Sequence, residues 1–249
     1  MLKRTVPVFA VGDLAKTVAW YRKVLGLKPI SNGARSSENR VLMARDRVEI
    51  IFRKQKDFPT EPRKMWSAYF RVTGLDALHN QIKDKAQILR GPEDTFHEDR
   101  ELELRDPNGY VLTFGEWEKK RDEITSFYDL HPVLPVKDIL ETVKWYKEVL
   151  GFQGEPWQQA PPYSFAMLYK DQVETFFTAT GFDKKASAPS GWSVCYRMVG
   201  QEIDRLYNHL KDKATVLRKP DQTFSGYTEF EIEDNNGHVL CFSEMNQPS

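Results

Sequence analysis

The chain has 249 residues, enough for one large or two modest domains that can each bury a core. Acidic and basic residues balance at 36 each, so no overall field draws it towards nucleic acid or an anionic membrane. A hydrophobic share of 40% with 12% aromatics excludes a disordered polymer and indicates folded structure.

Val6 to Val11 reads as a strand, and Asp13 then opens a helix running through Leu25. Asp13 can cap that helix by accepting backbone N–H bonds, and Gly26 can end it in the left-handed conformation. Leu14, Val18, Tyr21 and Leu25 lie on one helical face at the 3/4 spacing. Strands follow at Lys28 to Ser31 (weak), Arg40 to Ala44 and Val48 to Arg53. Ala68 to Val72 opens a second module, with a helix from Leu75 to Lys85. After it come strands at Gln87 to Arg90, Leu102 to Arg105 and Tyr110 to Gly115. The last two meet across Asp106-Pro107-Asn108-Gly109, whose Asn-Gly supplies the positive φ of a tight hairpin.

The chain then repeats itself. VPVFAVGDLAKTVAWYRKVLGL, from Val6, recurs as HPVLPVKDILETVKWYKEVLGF, from His131. DKAQILRGPEDTF, from Asp84, matches DKATVLRKPDQTF, from Asp212, and RDPNGYVLTFGE, from Arg105, matches EDNNGHVLCFSE, from Glu233. Ile139, Val143, Tyr146 and Leu150 repeat the apolar helical stripe. The halves meet in WEKKRDEITSFY, Trp117 to Tyr128, a charged linker with some helical character. The domains are therefore read as 1–119 and 129–249, joined by 120–128. The fold class is α+β, with a βαβββ pattern twice per half and four modules in all.

A strand ending in Val-x-Asp, a helix with a Trp-Tyr pair closing in Val-Leu-Gly-Leu/Phe, and the hairpin Asp-Pro-Asn-Gly-Tyr-Val-Leu together resemble the vicinal oxygen chelate superfamily of glyoxalase, bleomycin-resistance and dioxygenase proteins. The resemblance covers nearly the whole chain. It implies that each half curls its mixed sheets into a cup with the ligand site inside. It also implies metal ligands at the first cup-facing residue of each module's opening strand, here Val6, Ser67, His131 and Ser193, and on each later strand, here Glu49, Thr113, Glu174 and Cys241. Only Glu49, His131 and Glu174 are strong ligands, with Cys241 a doubtful fourth. No combination supplies two histidines and a carboxylate, or the roughly four ligands of a glyoxalase-type centre. No cofactor is expected on this count, a divalent metal being the alternative. His131 with Glu174 is the remaining candidate for chemistry, a histidine made more basic by a carboxylate; a hydrogen-bonded pair without catalysis is the competing account.

Strand alternation sorts the other side chains. Ala68, Phe70 and Val72 suit the core, leaving Ser67, Tyr69 and Arg71 towards the cup. Ser193, Cys195 and Arg197 share that phase in the second half. Leu102 and Leu104 go to the core, leaving Glu101, Glu103 and Arg105; Phe230 and Ile232 leave Glu229, Glu231 and Glu233. Arg71 and Arg197 are suited to bind a ligand carboxylate or phosphate, or else to pair with Glu103 and Glu231. Trp157 and Tyr163, in EPWQQAPPY, are hard to assign to a core and suit stacking on a planar ligand. Candidate ligand residues are thus Tyr69, Arg71, Glu103, Trp157, Tyr163, Arg197 and Glu231.

Two cysteines, Cys195 and Cys241, give no disulfide framework and fit a reducing compartment as buried thiols. MLKRTVPVF lacks the apolar stretch of a signal peptide, and no run reaches the ~20 apolar residues of a membrane helix. The expectation is a cytoplasmic protein that takes a small molecule and neither nucleic acid nor membrane, as a monomer with internal pseudo-dimer symmetry or as a homodimer. The leading function is metal-free binding, similar to bleomycin-resistance-type members. A lyase, isomerase or dioxygenase using His131 and Glu174 is the alternative, and a scaffold with self-filled cups a third.

Overall fold

The computed structural model describes residues 1–30, 39–58, 61–95, 99–117, 124–180, 182, 191–223 and 226–246. The expected linker 120–128 lies partly outside them, and its described end enters a strand at Ser126 rather than a helix. Most of the polar stretch SNGARSSENR, residues 31–40, also lies outside.

The first half runs β1 (Leu2–Val11), α1 (Leu14–Leu25), β2 (Lys28–Pro29), β3 (Arg40–Arg45), β4 (Val48–Lys54), β5 (Trp66–Thr73), α2 (Leu75–Ile82), β6 (Gln87–Asp94), β7 (Arg100–Arg105) and β8 (Val111–Glu116). The second runs β9 (Ser126–Pro135), α3 (Ile139–Trp145) with a π-helical turn (Tyr146–Leu150), β10 (Phe165–Lys170), β11 (Val173–Thr178), β12 (Val194–Met198), α4 (Ile203–Leu210), β13 (Thr215–Gln222), β14 (Tyr227–Glu233) and β15 (Val239–Met245). The expected module pattern is present, with the counterpart of β2 reduced to a bridge between Gln153 and Tyr169. Among the described residues no helix is long and apolar enough to cross a membrane.

Asp13 caps α1 by accepting from the Lys16 N–H at 2.9 Å, and Gly26 closes it at φ 69°. Asp138 accepts from Glu141 N–H at 2.9 Å and Gly151 sits at φ 70° in the same places of the second copy. α2 stops at Ile82, short of the expected Lys85. Lys83, Asp84 and Lys85 are all exposed, so nothing there extends the packed face, and Lys85 N–H folds back onto Ile82 O in a tighter turn.

Two compact units result: Phe9–His131, and Met1–Val8 with Pro132–Ser249. In the unit Phe9–His131 the strands run in the orders β1-β4-β3-β2 and β9-β5-β8-β7-β6. Its core gathers Tyr21, Leu25, Phe52, Phe70, Leu102, Leu104, Phe114 and Phe127 from α1 and the strands. Those strand residues alternate with polar ones, as period-2 burial requires. The opposite face, away from these core groups, is called the inner face below. The unit Met1–Val8 with Pro132–Ser249 has the orders β13-β14-β15-β12-β1 and β10-β11-β9. Its core holds Tyr146, Phe152, Phe177, Tyr196, Phe230, Ile232 and Phe242.

One carboxylate fastens helix to hairpin in each unit. Asp106 Oδ1 accepts the N–H groups of Asn108 and Tyr110, both at 2.8 Å, and its Oδ2 accepts the Tyr21 hydroxyl at 3.0 Å. In the other unit Asp234 Oδ1 accepts from Asn236 and His238 N–H at 2.8 Å, and Oδ2 from the Tyr146 hydroxyl at 2.9 Å. Only the glycines of these turns, Gly109 at φ 85° and Gly237 at φ 88°, take positive φ. The aspartate side chain therefore organises the turn, and the asparagine keeps ordinary backbone.

Candidate functional site

In the unit Phe9–His131, register aligns Tyr69 (β5), Thr113 (β8), Glu103 (β7) and Arg90 (β6) in one row across the inner face. The next row holds Arg71, Gly115, Glu101 and Glu93. Arg90 reaches this face through a bulge. Ile88 stands opposite Leu104 and Arg90 opposite Glu103, so Leu89 is the extra residue and the phase of β6 inverts there. Strict alternation would have sent Arg90 to the core with Ile88.

Arg90 Nη2 then lies 2.6 Å from Glu101 Oε2 and 2.6 Å from Glu103 Oε1, while Nη1 meets Glu93 at 2.9 Å. Trp66 Nε1 donates to Glu103 Oε1 at 2.7 Å and the Tyr69 hydroxyl to Glu101 Oε1 at 3.2 Å. A Cβ on Gly115 would stand 1.9 Å from the Tyr69 hydroxyl, so the absence of a side chain there lets the phenol cross to Glu101.

The other unit rebuilds the arrangement from different parts. Its rows are Cys195, Cys241, Glu231, Arg218 and Arg197, Ser243, Glu229, Asp221. Leu217 is the extra residue of the matching bulge. Arg218 Nε donates to Glu231 at 2.8 Å, Nη2 to Glu229 at 3.2 Å, and Trp192 Nε1 to Glu231 at 2.8 Å. Here Ser243 Oγ donates to Glu229 Oε1 at 3.1 Å, taking the part that Tyr69 plays in the first copy.

Burial by itself lowers the pKa of Arg90, but hydrogen bonds to Glu103, Glu101 and Glu93 outweigh it and hold the group above its ordinary value. Arg218 shows the same balance with Glu231 and Glu229. The Tyr69 hydroxyl is pushed up by burial and then by Glu101. Burial, then the adjacent Cys195, then Glu229 and Glu231, push the Cys241 thiol well above its usual value. Cys241 is a protonated, buried thiol and a poor nucleophile.

These partners correct two expected pairings. Of the two roles expected for Arg71 and Arg197, pairing with Glu103 and Glu231 is taken by other cations, Arg90 and Arg218. The reason is strand order: β8 stands between β5 and β7, and β15 between β12 and β14, so Arg71 and Arg197 start one strand further away. Their guanidinium carbons lie 5.8 Å from the Trp117 ring centroid and 5.4 Å from that of Tyr227. Tyr163 is half-buried and packs against the hydrophobic core. Trp157 is 46% exposed, on a loop where Gln158 Oε1 accepts from Ser164 N–H at 3.2 Å and Trp157 N–H donates to Phe165 O at 2.9 Å. Beside that loop Phe165 and Phe176 meet edge to face at 5.6 Å. Ala166, Leu168 and Phe177 enter the core, which leaves Phe165, Met167 and Phe176 on the inner face of β10–β11.

His131 is buried at the end of the unit Phe9–His131, with Nε2 3.6 Å from Asp129 Oδ2. Glu174 stands opposite Tyr169 on β11 of the other unit, and Glu49 opposite Ala44 on β4. At the further implied metal positions, Val6 is an apolar side chain registered against Cys195, Thr113 a neutral buried hydroxyl, and Cys241 a protonated thiol. Among the described residues no group of three or more His, Cys, Asp or Glu is placed to hold a metal ion. A catalytic divalent ion needs three or four strong ligands, and an apolar side chain, a neutral hydroxyl and a protonated thiol are not among them.

A family model described as the Glyoxalase/Bleomycin resistance protein/Dioxygenase superfamily matches residues 4–114 and 130–242. No curated protein sequence matches the chain. A putative dioxygenase from Bacillus subtilis subsp. subtilis str. 168 superposes with a TM-score of 0.69 at 12% identity, over 99% of this chain and 87% of that one. Glyoxalase I from Zea mays gives 0.66 at 16% identity, over 96% and 92%. At these identities the structural likeness establishes the fold. With both halves matched by one family model and the same hairpin, helix and ion cluster built twice, the chain belongs to the glyoxalase/bleomycin resistance protein/dioxygenase superfamily, as two tandem copies of its domain.

Proposed function

We propose that the protein binds a small, flat organic molecule without a catalytic metal, in the cytoplasm, through the aromatic inner face of β10–β11 and Trp157. The observation that carries this reading is Trp157, a large ring left 46% exposed on a loop pinned by Gln158, next to Phe165 and its partner Phe176. Rings of this kind supply contact area and stacking at low entropic cost. The carboxylates of the ion clusters are already engaged by Arg90 and Arg218, so they shape the floor of each sheet more than they offer free charge.

The test is a fluorescence titration of protein stripped with chelator, using the planar probe 8-anilinonaphthalene-1-sulfonate. Saturable binding that weakens at least tenfold in Trp157→Ala, with metal content below stoichiometry, supports the reading. Equal binding by wild type and Trp157→Ala removes its basis. The second reading, a metal-dependent lyase, isomerase or dioxygenase, is favoured by one feature: His131 is buried beside a carboxylate, Asp129. It requires stoichiometric metal in protein purified without chelator, lost in His131→Ala.

A further inference from the structure

β4 carries an arginine with no counterpart in the charge pairing described above. Ile50 and Phe52 enter the core of the unit Phe9–His131, so Glu49, Ile51 and Arg53 share the inner face. β3 pairs with β4 so that Arg40 stands directly opposite Arg53, Leu42 opposite Ile51 and Ala44 opposite Glu49. Two arginines thus sit side by side at one end of the face, separated from Glu49 by the apolar pair Leu42 and Ile51.

Arg53 Nε and Nη2 are buried and have no hydrogen-bond acceptor among the described residues. Other half-buried arginines of the unit are satisfied: Arg45 donates to Leu25 O and Thr125 O, Arg90 to Glu101 and Glu103, and Arg105 to Arg63 O and Gly109 O. Burial lowers the Arg53 pKa, and Tyr110, which acts against that, has its hydroxyl committed to Ala10 O at 2.7 Å. Asp106, next along, is occupied by Tyr21, Asn108 and Tyr110. A further cation, Arg63, lies over the Tyr110 ring at 5.2 Å. A guanidinium whose donors are taken out of water without an acceptor is costly, and the planar fork of two N–H groups matches an oxyanion.

We propose that Arg53, with Arg40 beside it, binds the oxyanion of a small molecule, a carboxylate or phosphate, on the inner face of β3–β4. In the second copy the corresponding register pair is Phe165 and Thr178, so this site belongs to the first copy alone. It goes beyond the aromatic reading and does not depend on Trp157, which lies in the other unit.

The experiment is isothermal titration and thermal melting of the full chain with inorganic phosphate and with succinate, each against sodium chloride at equal ionic strength. The wild type is expected to bind at least one of the two anions and melt higher in it than in chloride. Arg53→Met should weaken that binding at least tenfold, with Arg53→Lys intermediate because the fork is lost and the charge kept. In chloride, Arg53→Met should melt no lower than wild type, since it removes an unpartnered buried cation; a merely structural arginine would give a lower melt. Tighter binding of phosphate assigns the phosphate class, tighter binding of succinate the carboxylate class. No preference for either anion over chloride, or unchanged binding in Arg53→Met, overturns the proposal, whatever Trp157→Ala does to dye binding.

Discussion

Removing one hydroxyl from each copy tests whether the aspartate turns hold helix to sheet as the geometry indicates. In Tyr21→Phe the lost bond is a buried, charge-assisted one to Asp106 Oδ2, and that oxygen keeps a second donor, Asn108 Nδ2 at 3.1 Å. In Tyr146→Phe the hydroxyl is the only donor that Asp234 Oδ2 has among the described residues. A hydrogen bond to a buried charged group is worth about 1.5–3 kcal/mol, and leaving the acceptor unsatisfied takes the cost to the upper end. The expected losses are about 1.5 kcal/mol for Tyr21→Phe and about 3 kcal/mol for Tyr146→Phe. Urea unfolding followed by circular dichroism measures both as shifts of midpoint at unchanged slope. A second readout is specific to the first copy. Burial raises the Asp106 pKa and the Tyr21 bond is one of the contacts lowering it, so Tyr21→Phe should move that carboxyl further up. Equal losses, the reverse order, or an Asp106 pKa that falls would refute the reasoning.

High pH should unfold the protein steeply. Tyr21, Tyr69, Tyr110, Tyr146 and Tyr196 all keep their protons in the folded state beyond the ordinary tyrosine value, chiefly through burial, with Tyr110 pushed up to about 12. Above pH ~10 the unfolded chain sheds these protons first, so each group removes about 1.4 kcal/mol of stability per pH unit until its folded value is reached; a stability flat to pH 11.5 would contradict this. Cys195 and Cys241, both buried, should resist a maleimide in native protein and react fully in denaturant; rapid native labelling of Cys241 would contradict the protonated, inert thiol. Tyr69→Cys with Gly115→Ser installs the second copy's solution in the first, where serine replaces phenol as donor to Glu101. The double variant should be about 1–2 kcal/mol more stable than the sum of the single losses, because serine alone meets the Tyr69 hydroxyl and cysteine alone leaves Glu101 short of a donor.

Much of the fold was legible because its signals are local. The caps Asp13 and Asp138 and the left-handed Gly26 and Gly151 fix the helix ends from residue type alone. In β5, β7, β12 and β14 the core residues recur at every second position, so strand phase followed from alternation. The clusters on the inner faces were only half legible. Glu101, Glu103, Glu229 and Glu231 lie on plainly alternating strands, but Arg90 and Arg218 lie just past bulges, where counting by twos gives the wrong face. A signal was present all the same. Strict alternation sends an arginine into an apolar core in Ile-Leu-Arg and again in Val-Leu-Arg, and each is followed two residues later by proline, which cannot continue an ordinary ladder. A charge that phase would bury, beside a residue that interrupts pairing, is the mark of a bulge.

What sequence could not supply is the accounting of partners. Arg53 and Arg90 are both arginines on strands with an apolar neighbour, yet Arg90 is saturated by three carboxylates while Arg53 Nε and Nη2 meet no acceptor among the described residues. The difference arises from which strands stand adjacent, and adjacency depends on topology rather than on either residue's neighbours in the chain. The duplication sharpens the inference. Both copies retain the tryptophan, the two glutamates and the bulge-borne arginine, although the hydroxyl serving the first glutamate comes from Tyr69 in one and Ser243 in the other. A cluster rebuilt from different donors is one whose satisfaction the sheet requires, since an unpaired buried carboxylate is costly in either copy. Arg53 and Trp157 have no such duplicate, and nothing in the symmetry of the fold calls for them. That asymmetry between the copies is the ground on which we propose Arg53 and Trp157, rather than the duplicated clusters, as the ligand-recognising groups.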